Sequence, residues 1–395
     1  MSRIKLLRTF ILKLCISSFY KISSLLPINK GQVVFASSRS DELQDNLHYV
    51  YNEFKNRKKN YKYIFLLSKH RRGVIYNLFN LLRMLKATYY LATSEFFFVD
   101  DYYYPIYNIT PREGVKIIQL WHAAGAFKKF GYSTIGKDFG ASDQYLKLIK
   151  VHSNYTYAIV SGKSVIPMYA EAFNMDESKI LPLGTPRVDF FYQYEKHQKI
   201  INDFYFKYPQ LKRKKIILYA PTYRGGSYNQ STFKSNLDFH YLYEQIGEEY
   251  VIITHLHPYI TGGLSDSYPT EFVIEMDRSF NINELMIISD LLITDYSSVI
   301  FEFSLLKKPI IFYTPDIEEY KKERDFYFDF EKFIPGESFK DSKSLAHYIK
   351  RGRFNIDEVM NFSNKFFTNK NGLNSKSVVD YFISISETNS GKDRQ

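Results

Sequence analysis

The sequence predicts an α/β protein of two domains, and three observations carry that reading. Eleven short apolar runs, rich in β-branched and aromatic residues, alternate with longer helical stretches. Several runs, such as EFFFVD (95–100) and DLLITDYS (290–297), are continuously apolar rather than alternating, the pattern of strands buried on both faces of a parallel sheet. A charged, aromatic stretch from Tyr194 to Lys215 separates two sets of runs, and 395 residues suffice for two ordinary domains. The chain is expected to divide into a helix (1–28), a first domain (29–205), a second domain (206–385) and a flexible polar tail, SETNSGKDRQ (386–395).

The first element is a helix. Ile4, Leu7, Ile11 and Leu14 recur at helical spacing, and Ile22 and Leu25 extend the stripe. Arg3, Lys5, Arg8, Lys13 and Lys21 add only positive charge, and the first acid is Asp41. Lys13 and Lys21 interrupt the apolar run well short of the roughly 20 residues a membrane span needs. A clean apolar core and a small-residue cleavage site, the marks of a signal peptide, are missing. A basic amphipathic helix lying on an anionic leaflet fits both features. A first helix packed on its own domain is the other reading, and Pro27 ends the helix in either case.

The strands of the first set are QVVFAS (32–37), YKYIFLLS (61–68), EFFFVD, VKIIQLW (115–121), YAIVSG (157–162) and KILPLG (179–184). The second set is KKIILYAPT (214–222), YVIITHLHP (250–258), FVIEMD (272–277), DLLITDYS and KPIIFYTPD (308–316). Open parallel sheets bind ligands at the carboxyl ends of their strands, and the conspicuous polar residues sit there. Trp121-His122 ends the fourth run and is followed by Ala123, Ala124 and Gly125, small residues that let a ligand approach the backbone. His122 is a candidate proton handler. Lys128 and Lys129 either meet an acidic partner or are plain solvated lysines.

GTPRVD (184–189) carries Arg187, and YAPTYRGG (219–226) carries Pro221, Thr222 and Arg224. With Arg324 these arginines are candidates for phosphate, which suits the guanidinium fork. In ITHLHPYI (253–260), His255 and His257 alternate and so point to opposite faces of an extended chain, which argues against joint metal chelation. His257, before Pro258, is the better placed for a site. In DLLITDYSSVIFEFSLLKKPIIFY (290–313), a strand ends at Asp295, and Ser297 and Ser298 stand at a helix start, where they cap the helix or help hold a phosphate. Glu302 lies one turn on. It suits sugar hydroxyls and would repel a phosphate.

The formal charge of +11 favours an anionic partner without choosing one. The single cysteine, Cys15, excludes an internal disulfide and a cysteine metal cluster. No GK[ST] phosphate loop, HExxH, GxSxG, CxxC or GxGxxG after the first strand is present, which argues against an ordinary NTPase, a zinc peptidase, an α/β-hydrolase and a standard NAD enzyme. No nucleic-acid recognition motif accompanies the dispersed basic residues, so a nucleic-acid partner is not expected.

Taken in order and spacing, QLWHAAGAFKKFG, GTPRVD, YAPTYR, HLHP and DLLITDYSSVIFEFSLLKKPIIFY resemble the CDP-glycerol glycerophosphotransferase family of wall teichoic acid synthesis. The resemblance covers roughly residues 30–370 and is nearer the short, primase-type members. It implies a GT-B-like arrangement, two Rossmann-like domains with an interdomain cleft, on a protein peripheral to the cytoplasmic face of the bacterial membrane. It implies transfer of glycerol phosphate from CDP-glycerol to an undecaprenyl-linked acceptor, with release of CMP. His122 would be the base, His257 would act on the leaving phosphate, and Trp121, Ala123, Ala124, Gly125, Arg187, Pro221, Thr222, His255, Ser297, Ser298, Glu302 and Arg324 would line the substrate sites. No resident cofactor is implied, and a diffusible Mg²⁺ on the pyrophosphate is compatible.

Three departures stand out. Ala123 and Ala124 follow Trp-His where the family often has glycine, His255 replaces a basic residue of the polymerases, and Glu302 replaces their aspartate. CDP-ribitol as donor, chain extension or a capsule polymer keeps the same chemistry. A sugar-nucleotide glycosyltransferase of the same shape would release a nucleoside diphosphate instead.

Overall fold

The computed structural model describes residues 3–57, 59–69, 74–137, 140, 142–224, 232–256, 260, 262–277 and 279–392. His257, Pro258, Gly225 and Gly226 lie outside these residues. The chain forms two compact units, Met1–Phe190 with Phe366–Gln395, and Phe191–Lys365.

The first unit opens with α1 (Arg3–Ser23), then β1 (Asn29–Ser37), α2 (Asp45–Asn56), β2 (Lys62–Leu67), α3 (Val74–Thr93) and β3 (Ser94–Val99). β4 (Lys116–Gln119), β5 (Tyr157–Ile159) and β6 (Ile180–Leu181) complete one sheet in the order β2-β1-β3-β4-β5-β6. Every pairing in it is parallel. β3 is buried at all six positions, as its unbroken apolar run requires. Phe35, Phe54, Phe96 and Phe98 form the centre of the core, and Val378, Val379 and Phe382 of the C-terminal helix Asn374–Lys392 cover it.

The second unit carries β7 (Lys215–Tyr219), β8 (Tyr250–Thr254), β9 (Val273–Glu275), β10 (Leu291–Thr294), β11 (Ile310–Tyr313) and β12 (Ser338–Phe339) in the order β12-β11-β10-β7-β8-β9, again all parallel. All eleven expected strands are present, most of them shorter than the apolar runs. β12 has two residues and too little apolar pattern to be read from sequence.

The division of the chain differs from the expected boundaries. The switch between units falls at Phe190/Phe191 rather than near 205, and the chain re-enters the first unit at Phe366. Asp189 explains the re-entry. Buried, it accepts hydrogen bonds from the Asn374 backbone N–H and side-chain amide and from the Ser375 N–H and hydroxyl, so it caps the C-terminal helix. Gly184, at φ +93°, passes so close to Asn374 that a Cβ there would meet its Oδ1 at 1.7 Å. Of the expected flexible tail, residues 386–392 form the last part of that helix, and residues 393–395 lie outside the described residues.

α1 ends at Ser23, and two of its faces behave differently. Ile16 and Tyr20 are buried, Ser17 Oγ donates to the Asn108 carbonyl (2.6 Å) and Lys13 Nζ to the Leu148 carbonyl (2.7 Å). Ile4, Leu7, Ile11, Leu14 and Ile22 are exposed. Among the described residues no helix is long and apolar enough to cross a membrane.

Candidate functional sites

In the first sheet the chain winds outward to β2 and then returns to β3 on the other side of β1. The crevice between β1 and β3 is therefore the topological switch point, where open α/β sheets bind ligands. Ser37, Ser38 and Arg39 leave β1 there, Asp100 and Asp101 leave β3, and Trp121 and His122 leave the neighbouring β4. Asp101 Oδ2 lies 3.5 Å from His122 Nδ1 and 3.4 Å from Arg39 Nε.

The turn that presents His122 is held by side chains. Trp121 has φ +54°, a left-handed value costly for a bulky residue. Its N–H donates to Gln119 Oε1 (2.8 Å) and its carbonyl accepts from Asn46 Nδ2 (2.8 Å). Gln119 Nε2 donates in turn to the Asp101 carbonyl (3.0 Å), and Asn46 Oδ1 accepts the Arg187 N–H (2.9 Å). Four segments are thus tied to one turn. The Trp121 ring packs on His122 (4.4 Å between centroids) and stacks on Phe130 (5.0 Å), and the buried His152 ring stands across it. Ala124, Gly125 and Ala126 are buried, and the Ala123 carbonyl accepts from Tyr169 OH (3.0 Å). Their small size is accounted for by packing beneath the turn.

Burial, aided by the Arg39 and Arg187 charges, pushes His122 down to about 3, so it is neutral at pH 7 and open to a proton. Burial raises Asp100 to about 6 and lifts Asp101 as well. A neutral imidazole beside a carboxylate and two guanidiniums suits proton transfer from a hydroxyl next to anionic groups, and a bound phosphate would raise its basicity.

The second sheet has its switch point between β7 and β10. Pro221 and Thr222 follow β7 there, and Asp295, Tyr296, Ser297 and Ser298 follow β10. Asp295 Oδ1 accepts the Thr222 N–H (2.8 Å), and Asp295 Oδ2 pairs with Arg224 (2.8 Å). Arg224 also grips Asp316 (2.6 and 3.2 Å) and lies 5.0 Å from the centroids of the Tyr296 and Tyr320 rings. Arg224 and Asp295 thereby brace each other and the Thr222 turn. The Thr222 hydroxyl oxygen is buried without a hydrogen-bond partner among the described residues, the mark of a polar atom awaiting a ligand or water. Ser297 and Ser298 are half-buried at the head of the short helix Val299–Ser304, and neither side chain forms a strong cap: Ser297 Oγ accepts from the Val299 N–H only at 3.4 Å.

Glu302 is buried within that helix. His255 is half-buried beyond β8, its N–H bonded to the Tyr219 carbonyl (3.0 Å). Arg324 ends the helix Ile317–Glu323 beside Tyr320.

The structure thus brings His122, Trp121 and Arg187 together in one unit, and Pro221, Thr222, Ser297 and Ser298 in the other. Sequence reasoning missed Arg39, Asn46, Asp100, Asp101 and His152. Two of these carry a usable signal: Asp100 closes the EFFFVD run and Asp101 follows it, strand-end positions like that of His122. Asn46 and His152 act only through tertiary contacts. Among the described residues no group of three His, Cys, Asp or Glu side chains is arranged to hold a metal.

A family profile described as CDP-Glycerol:Poly(glycerophosphate) glycerophosphotransferase matches residues 18–384. The chain is 44% identical over 380 residues to the teichoic acid ribitol-phosphate primase of Bacillus spizizenii, covering 95% of this chain and 97% of that protein. It is 32% identical over 306 residues to the teichoic acid glycerol-phosphate primase of Bacillus subtilis, covering 78% of each. Its fold matches the wall teichoic acid polymerase TagF, H444N variant, with a TM-score of 0.76 at 22% identity, over 99% of this chain and 100% of that one.

Proposed function

The chain belongs to the CDP-glycerol:poly(glycerophosphate) glycerophosphotransferase family, and from that premise we propose that it is a primase-type transferase moving an alditol phosphate from a CDP-alditol to a lipid-linked acceptor. The observation that supports a primase most is the 44% identity, along nearly the whole of both chains, to a ribitol-phosphate primase. On that ground CDP-ribitol is the donor proposed first. CDP-glycerol is the second reading, supported by the family description and by the glycerol-phosphate primase relative. The acceptor proposed is a disaccharide-pyrophosphoryl-undecaprenol at the inner membrane face, which the exposed apolar stripe and cationic residues of α1 would meet.

The division of labour follows the two switch points. The second unit would hold the nucleotide and pyrophosphate through Thr222, Ser297 and Ser298, with His257 acting on the leaving phosphate, Arg324 as a phosphate partner, and Glu302 and His255 as further substrate contacts. In the first unit His122 takes the proton of the acceptor hydroxyl. That oxygen bonds to the phosphorus bearing the alditol, the bond from that phosphorus to the bridging oxygen breaks, and CMP leaves with the bond's electron pair. Asp101, 3.5 Å from the imidazole Nδ1, would stabilise the imidazolium that forms. Arg39 and Arg187 offset charge gathering at the phosphorus.

The test is CMP release with the lipid-linked acceptor and either donor. Acceptor-dependent CMP from CDP-ribitol, at least about tenfold faster than from CDP-glycerol, is the expected result, a modest margin for one additional set of hydroxyl contacts. The reverse preference selects the second reading, and acceptor-independent rates with both donors would contradict transfer.

A further inference from the structure

The first unit contains a cavity of about 1160 Å³ bounded by α1, α3, the ends of β1 and β2 and the segment following β3. Its size exceeds the few hundred to 1,000 Å³ of an ordinary small-molecule site. Leu12 of α1 and Leu81 and Met84 of α3 supply an apolar wall. Arg8, Arg83 and Lys86 stand on the same wall, and among the described residues no carboxylate lines it. One end reaches Ser37, Ser38 and Tyr102. Ser38 Oγ donates to the Tyr102 carbonyl (2.8 Å), and Tyr102 follows Asp101, which faces His122. At the helices, the neighbouring side chains Leu7, Ile11, Leu78, Phe79 and Leu82 are exposed and apolar.

Three properties therefore coincide: an apolar wall beside an exposed apolar surface, a cationic lining without acids, and an end at the proton-handling turn. We infer that this cavity receives a lipid whose long apolar chain ends in a phosphate-bearing headgroup, with Arg8, Arg83 and Lys86 on the phosphates and the chain leaving over the exposed faces of α1 and α3. A soluble anion has no use for the apolar wall, and an uncharged lipid has none for the three cations. The inference rests on the proposed transfer to a lipid-linked acceptor and gives that acceptor a location at the α1–α3 face.

The test is calorimetric titration of the full chain with farnesyl diphosphate, inorganic pyrophosphate and farnesol, with no CDP-alditol present. Farnesyl diphosphate is expected to bind at least about tenfold tighter than either half. Met84→Trp, which puts a bulky ring on the apolar wall and narrows the cavity there, should weaken it about tenfold or more, and so should the pair Arg8→Ala with Arg83→Ala. Leu81→Phe serves as a second filling variant if Met84→Trp disturbs folding, as read by circular dichroism. In turnover, the same changes should raise KM for the lipid acceptor and leave KM for the donor unchanged.

Pyrophosphate binding as tight as farnesyl diphosphate would mean a plain anion site and overturn the inference. So would unchanged binding in well-folded filling variants. Because the titration needs no donor, binding can hold while donor turnover fails, and turnover can hold while cavity binding fails, so the two readings fall separately.

Discussion

His122 owes its chemistry to its neighbours. A histidine in water is half protonated near pH 6.5, whereas burial and the charges of Arg39 and Arg187 hold this one at about 3. The imidazole is then neutral across the physiological range, as a base must be, and loses that form only as pH falls toward its lowered pKa. Removing a nearby cation raises the pKa. Arg39→Ala is therefore expected to shift the acidic limb of kcat/KM upward by about 0.5–1 pH unit, toward the ordinary histidine value. An unmoved limb in that variant would separate Arg39 from the titration of His122.

At the scale of elements, strand ends and their tethers decide the geometry. The buried Asn46 of α2 and Gln119 of β4 hold the Trp121 turn in its left-handed conformation. The buried Asp189 holds the C-terminal helix against the first unit through four hydrogen bonds. Asp189→Ala leaves four donors of a buried helix start without their acceptor. It is expected to lower unfolding free energy by about 2–4 kcal/mol, read by urea denaturation, and to raise amide exchange in Asn374–Lys392 first. A loss below about 0.5 kcal/mol would mean that the helix is held by its apolar face alone.

The strands are legible because their apolar runs are continuous, and the strand-end rule points to His122, Thr222 and the Ser297-Ser298 pair as candidates. What escaped has a physical reason. Asp189 and Asn46 make their contacts with residues far along the chain, which no local pattern records. The return of the chain at Phe366 depends on the same kind of contact, so the domain boundaries were drawn by a linker-like composition that the structure does not follow.

At the scale of the whole molecule, the proposed transfer to a lipid-linked acceptor requires α1 to meet a membrane surface. Leu7 and Ile11 are exposed on α1 and tied to no core, so changing them tests membrane contact without cutting a packed cluster. Leu7→Glu with Ile11→Glu is expected to reduce sedimentation with anionic phospholipid vesicles at least about tenfold, with the melting temperature shifted by no more than about 2 °C. Undiminished vesicle binding would move the membrane contact away from α1.

In the proposed transfer His122, presented by the Trp121 turn, removes the proton of the acceptor hydroxyl. The most direct measurement of that step is CMP release with CDP-ribitol, CDP-glycerol and the lipid-linked acceptor, comparing the natural chain with His122→Ala under single-turnover conditions. The expected result is at least about a hundredfold loss in the transfer rate, the lower range for removing a general base, with vesicle binding and circular dichroism unchanged. Transfer by a folded His122→Ala chain at the natural rate would contradict it.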